Sequence, residues 1–174
     1  MKAEKILAKA IRDVPDFPKK GIIFKDITTL LQNSKTFKKA IDLIYKEYKH
    51  KKIDAVVCVE SRGFIFGAPL AYKLNTGLVL VRKKGKLPYK TYKMTYALEY
   101  GKDTLEIHQD ALKKGACVLV IDDLLATGGT IAAVCQILKK FKAKIAGVCF
   151  VVELLFLKGR EKLKDYKVSS IVKY

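Results

Sequence analysis

The chain has 174 residues, half of them hydrophobic, and a formal net charge of +18. This length suits one well-filled domain and is short for two, so we expect a single domain over residues 1–174. No apolar stretch approaches the length of a membrane span, and the presence of only two histidines argues against a histidine-based metal site.

The cysteines and the basic residues indicate the setting in which the protein works. Each of the four cysteines lies in apolar surroundings without C-x-x-C spacing, which predicts reduced core thiols in a cytoplasmic protein. The lack of a long apolar stretch predicts no membrane partner. The basic residues are nearly all lysines and are spread along the whole chain. Nucleic-acid-binding proteins cluster their basic residues, so we expect no dedicated nucleic-acid partner.

The N-terminal part contains two predicted helices separated by a proline-rich stretch. Apolar spacing predicts a short amphipathic helix over residues 6–11 and a longer one that begins after Ser34, its expected N-cap, and extends to Tyr48. Between them, residues 15–28 read P-D-F-P-K-K-G-I-I-F-K-D-I-T. On the residues alone, this stretch is an N-terminal arm packed on the core.

Two predicted strands are each followed by residues suited to binding an anion. The apolar run 53–59 predicts a buried strand, and Glu60-Ser61-Arg62-Gly63 follow it before a helix around residues 66–74. Residues 77–81 predict another strand, and the basic segment 82–88, R-K-K-G-K-L-P, comes directly after it. Four cations in five residues repel one another unless an anion joins them; the alternative is a solvated loop.

Residues 92–108 have the pattern of an antiparallel ribbon. Apolar and polar residues alternate from Tyr92 to Tyr100, Gly101 provides a turn, and Leu105 and Ile107 begin a return strand. Alone, the pattern makes Glu99 a residue on the polar side of an exposed strand.

The stretch 117–141 carries the most specific pattern in the chain. Residues 117–121 predict a strand buried on both faces, Asp122 and Asp123 stand at its expected end, and T-G-G-T precedes an amphipathic helix. The N–H groups of such a helix start bind phosphate, while adjacent carboxylates suit neighbouring hydroxyls or a metal ion. The unit therefore indicates a ribose 5-phosphate site; the alternative is a turn whose Asp residues cap the helix.

These motifs resemble a known family. The sequence V-L-V-I-D-D-L-L-A-T-G-G-T at 118–130 resembles the phosphoribosyl pyrophosphate (PRPP) signature of the type I phosphoribosyltransferases. Residues 15–28 and L-E-Y-G-K-D-T-L-E-I-H at 98–108 are similar to the adenine branch of that family, and the resemblance covers residues 15–163. It implies an α/β fold with a mostly parallel central sheet flanked by helices, and a flexible antiparallel ribbon, within residues 82–108, over the active site.

The resemblance also implies a role for each motif. Phe24 would stack on adenine while the backbone of Ile23 and Lys25 reads its edge, although many members carry Arg where this chain has Lys25. Pyrophosphate would be bound by Glu60, Ser61, Arg62, Gly63, Arg82, Lys83 and Lys86, with a cis peptide between Glu60 and Ser61; Asp is commoner than Glu at position 60. The 5′-phosphate would be bound by Ala126, Thr127, Gly128, Gly129 and Thr130. The catalytic acids would be Glu99, Asp122 and Asp123, with Tyr100 beside Glu99.

The implied reaction converts adenine and PRPP to AMP and pyrophosphate, in purine salvage. Mg²⁺ is the implied cofactor, bound mainly through PRPP phosphates and water with no direct protein ligand. A homodimer is also implied. Two alternatives stay open, namely a phosphoribosyltransferase for another purine base and a non-catalytic PRPP-binding regulator that binds nucleic acid.

Overall fold

The structure, a computed structural model, describes residues 3–97 and 101–174. The helices within these ranges are α1 (Ala3–Ala10), α2 (Thr28–Gln32), α3 (Ser34–Tyr48), α4 (Arg62–Leu74) and α5 (Gly129–Leu138). The strands are β1 (Arg12–Pro15), β2 (Ile23–Asp26), β3 (Ala55–Val59), β4 (Gly77–Lys83), β5 (Thr91–Ala97), β6 (Lys102–His108), β7 (Cys117–Leu125), β8 (Lys144–Glu153) and β9 (Val168–Lys173). No helix in this part of the chain is long and apolar enough to cross a membrane.

Seven of the described strands form one sheet in the order β5-β6-β4-β3-β7-β8-β9. The five strands from β4 to β9 in that order run parallel to one another. Helices cover both faces of a parallel sheet, which explains why β3 is an uninterrupted apolar run buried along its whole length. The predicted α/β fold with a mostly parallel central sheet is confirmed.

The remaining two strands of the sheet form the antiparallel ribbon. β5 and β6 pair from Thr91↔His108 to Ala97↔Lys102, in agreement with the alternating pattern of the sequence. The ribbon joins the sheet through β6, which pairs antiparallel with β4 at Arg82↔Glu106 and Lys83↔Leu105. The basic segment therefore begins at the junction between the ribbon and the parallel strands.

The sheet separates two hydrophobic cores. On one face, Val134 of α5 packs in a cluster with Val57 of β3. On the other face, α1, α3 and α4 supply residues such as Ile41 and Phe66, which cluster with Cys58. Burial of each such side chain stabilises the fold by about 1.5–3 kcal/mol, so the apolar faces of these helices fix their positions on the sheet.

One expectation for the N-terminal part is wrong. Asn33, and not Ser34, caps α3, because its side chain accepts hydrogen bonds from the first-turn backbone N–H groups. Residues 15–28 include most of a hairpin. Their first residue ends β1, and β2 pairs with β1 in a separate antiparallel sheet from Arg12↔Asp26 to Pro15↔Ile23.

The predicted end of the strand 117–121 is also wrong. β7 continues through both aspartates to Leu125 and stays paired with β8 at Asp122↔Phe150 and Leu125↔Glu153. The continuation is possible because β8 is long enough to supply partners beyond the apolar run. The acid pair therefore lies on a rigid strand rather than in the loop after it.

Candidate active site

A cavity of about 400 Å³ lies beside the ends of β3 and β7, under the ribbon. Seven of the predicted site residues line it, namely Glu60, Ser61, Arg62, Lys83, Asp122, Asp123 and Thr130. They come from three distant parts of the sequence and meet because parallel strands present their carboxyl ends at one edge of a sheet. The predicted convergence of the three motifs is confirmed for these residues.

The other predicted site residues divide into two groups. Those that the structure describes but that do not line this cavity are Ile23, Phe24, Lys25, Gly63, Arg82, Lys86, Ala126, Thr127, Gly128 and Gly129. Glu99 and Tyr100 lie outside the described residues.

Asp122 and Asp123 form a desolvated acid pair. Asp123 is 4% exposed, and its Oδ2 forms an ion pair with Arg62. The Oδ1 of Asp122 accepts a hydrogen bond of 2.9 Å from the backbone N–H of Asp123. Desolvation and the neighbouring Asp123 carboxylate raise the pKa of Asp122 well above its ordinary value, and desolvation also raises the pKa of Asp123. A carboxylate oxygen has more than one lone pair, so a ligand hydroxyl could donate to this pair in addition to its contact with Arg62.

The N-terminus of α4 lies directly against this pair. A β-carbon added to Gly63 would lie 2.9 Å from the Oδ1 of Asp122, so glycine permits the close approach. Arg62, the first residue of α4, places its Nε 2.8 Å from the Oδ2 of Asp123. The peptide between Glu60 and Ser61 is cis, as expected. The short segment 60–63 thus brings a cation and a helix start to the acid pair.

The carboxylate of Glu60 contacts the basic segment. Its carboxylate accepts hydrogen bonds from the side chains of Arg82 and Lys86, at 3.2 and 3.1 Å, and from the backbone N–H of Lys83 at 3.1 Å. Although desolvation opposes it, these donors hold the pKa of Glu60 at about 2. Glu60 is therefore ionised at neutral pH and positions cations next to the cavity.

The loop before α5 has the geometry of an anion site. Gly128 is the N-cap with a φ of 77°, in the left-handed region that favours glycine, and no side chain caps the helix. The N–H groups of the first turn have no partner inside the helix, and they point toward any anion that binds there. The hydroxyl of Thr130 donates to the Tyr96 hydroxyl at 3.3 Å, so the ribbon touches the same loop.

The base-binding segment is adjacent to the cavity through Phe24. The guanidinium carbon of Arg62 lies 5.5 Å from the centre of the Phe24 ring, within the range of a cation–π contact. The side chain of Lys25 is occupied elsewhere, because its Nζ lies 2.7 Å from Asp13 and 3.7 Å from the centre of the Tyr174 ring. The presence of Lys instead of Arg at this position therefore affects contacts with Asp13 and Tyr174, and not the lining of the cavity.

The sequence reasoning missed three residues of this region. Tyr96 and Asp103 of the ribbon line the cavity, and Asp103 pairs with Lys83 at 3.3 Å. Glu106 is 2% exposed, accepts a hydrogen bond from the backbone N–H of Gly85 at 3.1 Å and pairs with Lys93. The alternating pattern contained a signal for Glu106, because a carboxylate in the apolar return strand needs a partner.

Comparisons with known proteins give a consistent result. The family model "Phosphoribosyl transferase domain" matches residues 26–173. The adenine phosphoribosyltransferase of Syntrophotalea carbinolica is 61% identical over 168 residues, which cover 97% of this chain and 98% of that protein. The crystal structure of adenine phosphoribosyltransferase from Thermoanaerobacter pseudethanolicus superposes with a TM-score of 0.95 at 47% identity, covering 98% of this chain and 99% of that one.

A second solved structure extends the comparison to a ligand complex. Adenine phosphoribosyltransferase from Saccharomyces cerevisiae, crystallised with an imino-altritol bisphosphate and adenine, has a TM-score of 0.92 and 40% identity, covering 97% of this chain and 98% of that one. The match therefore extends over both the sheet and the site at its edge. On this agreement of sequence and structure over nearly the whole length, the chain belongs to the phosphoribosyltransferase family, in its adenine phosphoribosyltransferase branch.

Proposed function

We propose that this protein transfers the 5-phosphoribosyl group of PRPP to adenine, giving AMP and pyrophosphate, in purine salvage. The observation that carries the proposal is the acid pair Asp122 and Asp123, set in one cavity with the cations of Arg62 and Lys83 and with Thr130 at the start of α5. These groups match the three parts of PRPP, which are a diol, a pyrophosphate and a 5′-phosphate.

The acid pair binds the ribose. The 2′- and 3′-hydroxyls donate to the carboxylates of Asp122 and Asp123, which both line the cavity. As the bond to pyrophosphate breaks, positive charge develops at the anomeric carbon, and nearby carboxylates lower the energy of that transition state. The nitrogen N9 of adenine attacks the anomeric carbon from the face opposite the leaving group.

The cations around Glu60 bind the leaving pyrophosphate. Arg62 contributes a planar fork that can bind phosphate oxygens in pairs, and Arg82, Lys83 and Lys86 extend the positive charge along the ribbon junction. Fixed charges of this kind stabilise the transition state without reorganisation at the moment of reaction. Residues 126–130 hold the 5′-phosphate at the uncapped start of α5.

Mg²⁺ is part of the proposal as a partner of PRPP rather than of the protein. Within residues 3–97 and 101–174, no group of three or more His, Cys, Asp and Glu side chains could hold a metal ion. Mg²⁺ prefers phosphate oxygens and water as ligands, so the phosphates of PRPP would hold the ion. When bound, the ion would neutralise charge on the pyrophosphate.

At the base site, Phe24 stacks on adenine and backbone groups of Ile23 and Lys25 read its edge. Ile23 is 55% exposed and lies at the start of β2, so this edge of the segment is open to a ligand. Glu99 handles the purine proton, with Tyr100 beside it.

A homodimer in the cytoplasm completes the proposal. Ile65 and Tyr72 of α4 are 39% and 86% exposed, and Leu78 and Leu80 of β4 are 40% and 37% exposed. The two leucines pair in register with Val56 and Cys58, on the sheet face that α4 covers, so the four side chains form an apolar surface suited to a second copy. Cys58, Cys135 and Cys149 are buried free thiols, in keeping with a reducing compartment.

One assay tests the proposed reaction. Pyrophosphate release is measured with PRPP, Mg²⁺ and adenine, hypoxanthine, guanine or xanthine in turn. We expect the kcat/KM for adenine to exceed that for each other base by at least about a hundredfold. A site that accepts a hydrogen bond from the exocyclic amine of adenine would have an unpaired polar group when a 6-oxo base is bound. A preference for another base would mean that this base, and not adenine, is the substrate that accepts the phosphoribosyl group. Salt-dependent DNA binding without any turnover would favour the alternative of a non-catalytic regulator.

A further inference from the structure

The short 3₁₀ helix Gly159–Leu163 packs against the loop that precedes α5. Gly159 and Gly128 pack backbone against backbone. A β-carbon on Gly128 would overlap the carbonyl oxygen of Gly159, and a β-carbon on Gly159 would overlap the carbonyl oxygen of Ala126. The distance between the loop and the helix is therefore set by the absence of side chains on both sides.

Arg160 fixes the position of this 3₁₀ helix. Its Nε and Nη2 donate to the two carboxylate oxygens of Glu153 at 2.5 and 2.7 Å, and its Nη1 donates to the carbonyl oxygen of Val168 at 3.0 Å. Ser170 also donates to Glu153. Glu153 is 2% exposed at the end of β8, and this fork of donors holds its pKa below the ordinary value. The planar guanidinium thus connects the helix to two strands with fixed geometry.

A hydrophobic contact completes the support. Leu163, at the other end of the 3₁₀ helix, is 1% exposed and belongs to the same core cluster as Ile131 of α5. Both ends of the 3₁₀ helix are thereby attached, one to the sheet and one to the helix whose N-terminus holds the phosphate. Rigid support of a binding loop matters because a displacement of about 1 Å in a site can cost a hundredfold in rate.

We propose that Gly159 and Arg160 are positioning residues for the ribose 5-phosphate end of the substrate. They touch no substrate atom and act by holding residues 126–128 at the distance that the 5′-phosphate requires. This inference rests on the proposed function, in which residues 126–130 bind that phosphate. It assigns a role to the segment 157–163, to which the sequence reasoning assigned none.

The experiment measures the Kd of ribose 5-phosphate and the Kd of pyrophosphate with Mg²⁺ by titration calorimetry, in the wild type, Gly159→Ala and Arg160→Lys. We expect Gly159→Ala to raise the Kd of ribose 5-phosphate at least about tenfold while the Kd of pyrophosphate changes less than about twofold. Arg160→Lys keeps the charge opposite Glu153 and loses the fork, so we expect a smaller rise with the same selectivity. The matched control is Gly77→Ala, at the opposite end of the strands, where a β-carbon makes only ordinary contacts of 3.7 Å or more.

The results of this titration can overturn either the positioning role or the proposed function. An unchanged Kd of ribose 5-phosphate in both variants, or equal losses for both ligands, would overturn the positioning role. If Gly159→Ala does not fold, as judged by circular dichroism, Arg160→Lys decides the question alone. Wild-type protein that binds no ribose 5-phosphate would overturn the proposed function itself, and this inference with it.

Discussion

The Nε of Arg62 lies 2.8 Å from the Oδ2 of Asp123, and the same guanidinium lies over the ring of Phe24. One side chain therefore contacts both the acid pair and the segment that we propose binds the base, while it belongs to the loop that we propose binds pyrophosphate. The ion pair holds the cation in the cavity before a substrate arrives. A diol that donates to Asp123 and a pyrophosphate that attracts Arg62 would together replace it.

Replacement of Arg62 by lysine tests the pyrophosphate role. Lysine keeps the charge but lacks the planar fork, so we expect kcat/KM for PRPP to fall at least about tenfold. Steady-state kinetics with adenine held at saturation provide the measurement. Arg12→Lys serves as the control, since Arg12 pairs with Asp26 outside the cavity. A kcat/KM for PRPP that stays at the wild-type value in Arg62→Lys would remove this residue from the pyrophosphate site.

The acid pair is tested with Asp123→Asn. The amide is similar in shape but carries no negative charge to balance the positive charge at the anomeric carbon. We therefore expect kcat to fall by much more than about tenfold. Single-turnover kinetics separate this loss from a change in substrate binding. The exposed Asp110→Asn is the matched control. An Asp123→Asn enzyme with normal turnover would mean that the pair is structural.

Phe24→Ala tests the base site. Removal of an aromatic side chain that stacks on a base weakens binding by about 1–3 kcal/mol, so we expect the KM for adenine to rise at least about fivefold. The KM for PRPP should rise less, because Phe24 does not line the cavity that holds the other groups. The two Michaelis constants are measured by varying each substrate in turn, and the reverse ordering would contradict the stacking role.

Acid titration tests the contacts of Glu60. Because the pKa of Glu60 is lowered to about 2 in the folded protein, its ionised form favours folding. This stabilisation is complete above the ordinary Glu pKa of about 4.3 and is lost as the pH falls toward 2. We expect the melting temperature to drop less steeply over that range in Glu60→Gln than in the wild type. The exposed Glu161→Gln should keep the wild-type slope; identical slopes for all three proteins would argue against the contacts.

The sequence predicted the parts of the fold that depend on local pattern. The uninterrupted apolar run of β3 and the alternation in β5 follow directly from burial on two faces or one, and both strands are confirmed. The edge at which Glu60, Lys83 and Asp122 meet followed from the parallel topology. The resemblance in the motifs supplied the family, which composition and periodicity could not.

The remaining features depend on pairing between distant segments. Asp122 lies inside β7 because β8 extends far enough to pair with it, and a run that ends in two acids gives no sign of that partner. The contacts of Glu60 with Arg82 and Lys86 likewise join residues more than 20 positions apart. Such contacts are set by three-dimensional packing and leave no periodic signal along the chain.

The junction between the ribbon and the sheet has a mechanical consequence. β6 pairs with β4 at Arg82↔Glu106 and Lys83↔Leu105, and the backbone N–H of Lys84 donates to the carbonyl oxygen of Thr104 at 3.0 Å, so the attachment includes the basic residues beside the cavity. Any rotation of the ribbon about this short attachment must turn the backbone of Arg82 and Lys83. In the proposed reaction, covering of the sugar by the ribbon would therefore be coupled to the position of the cations that bind its leaving group.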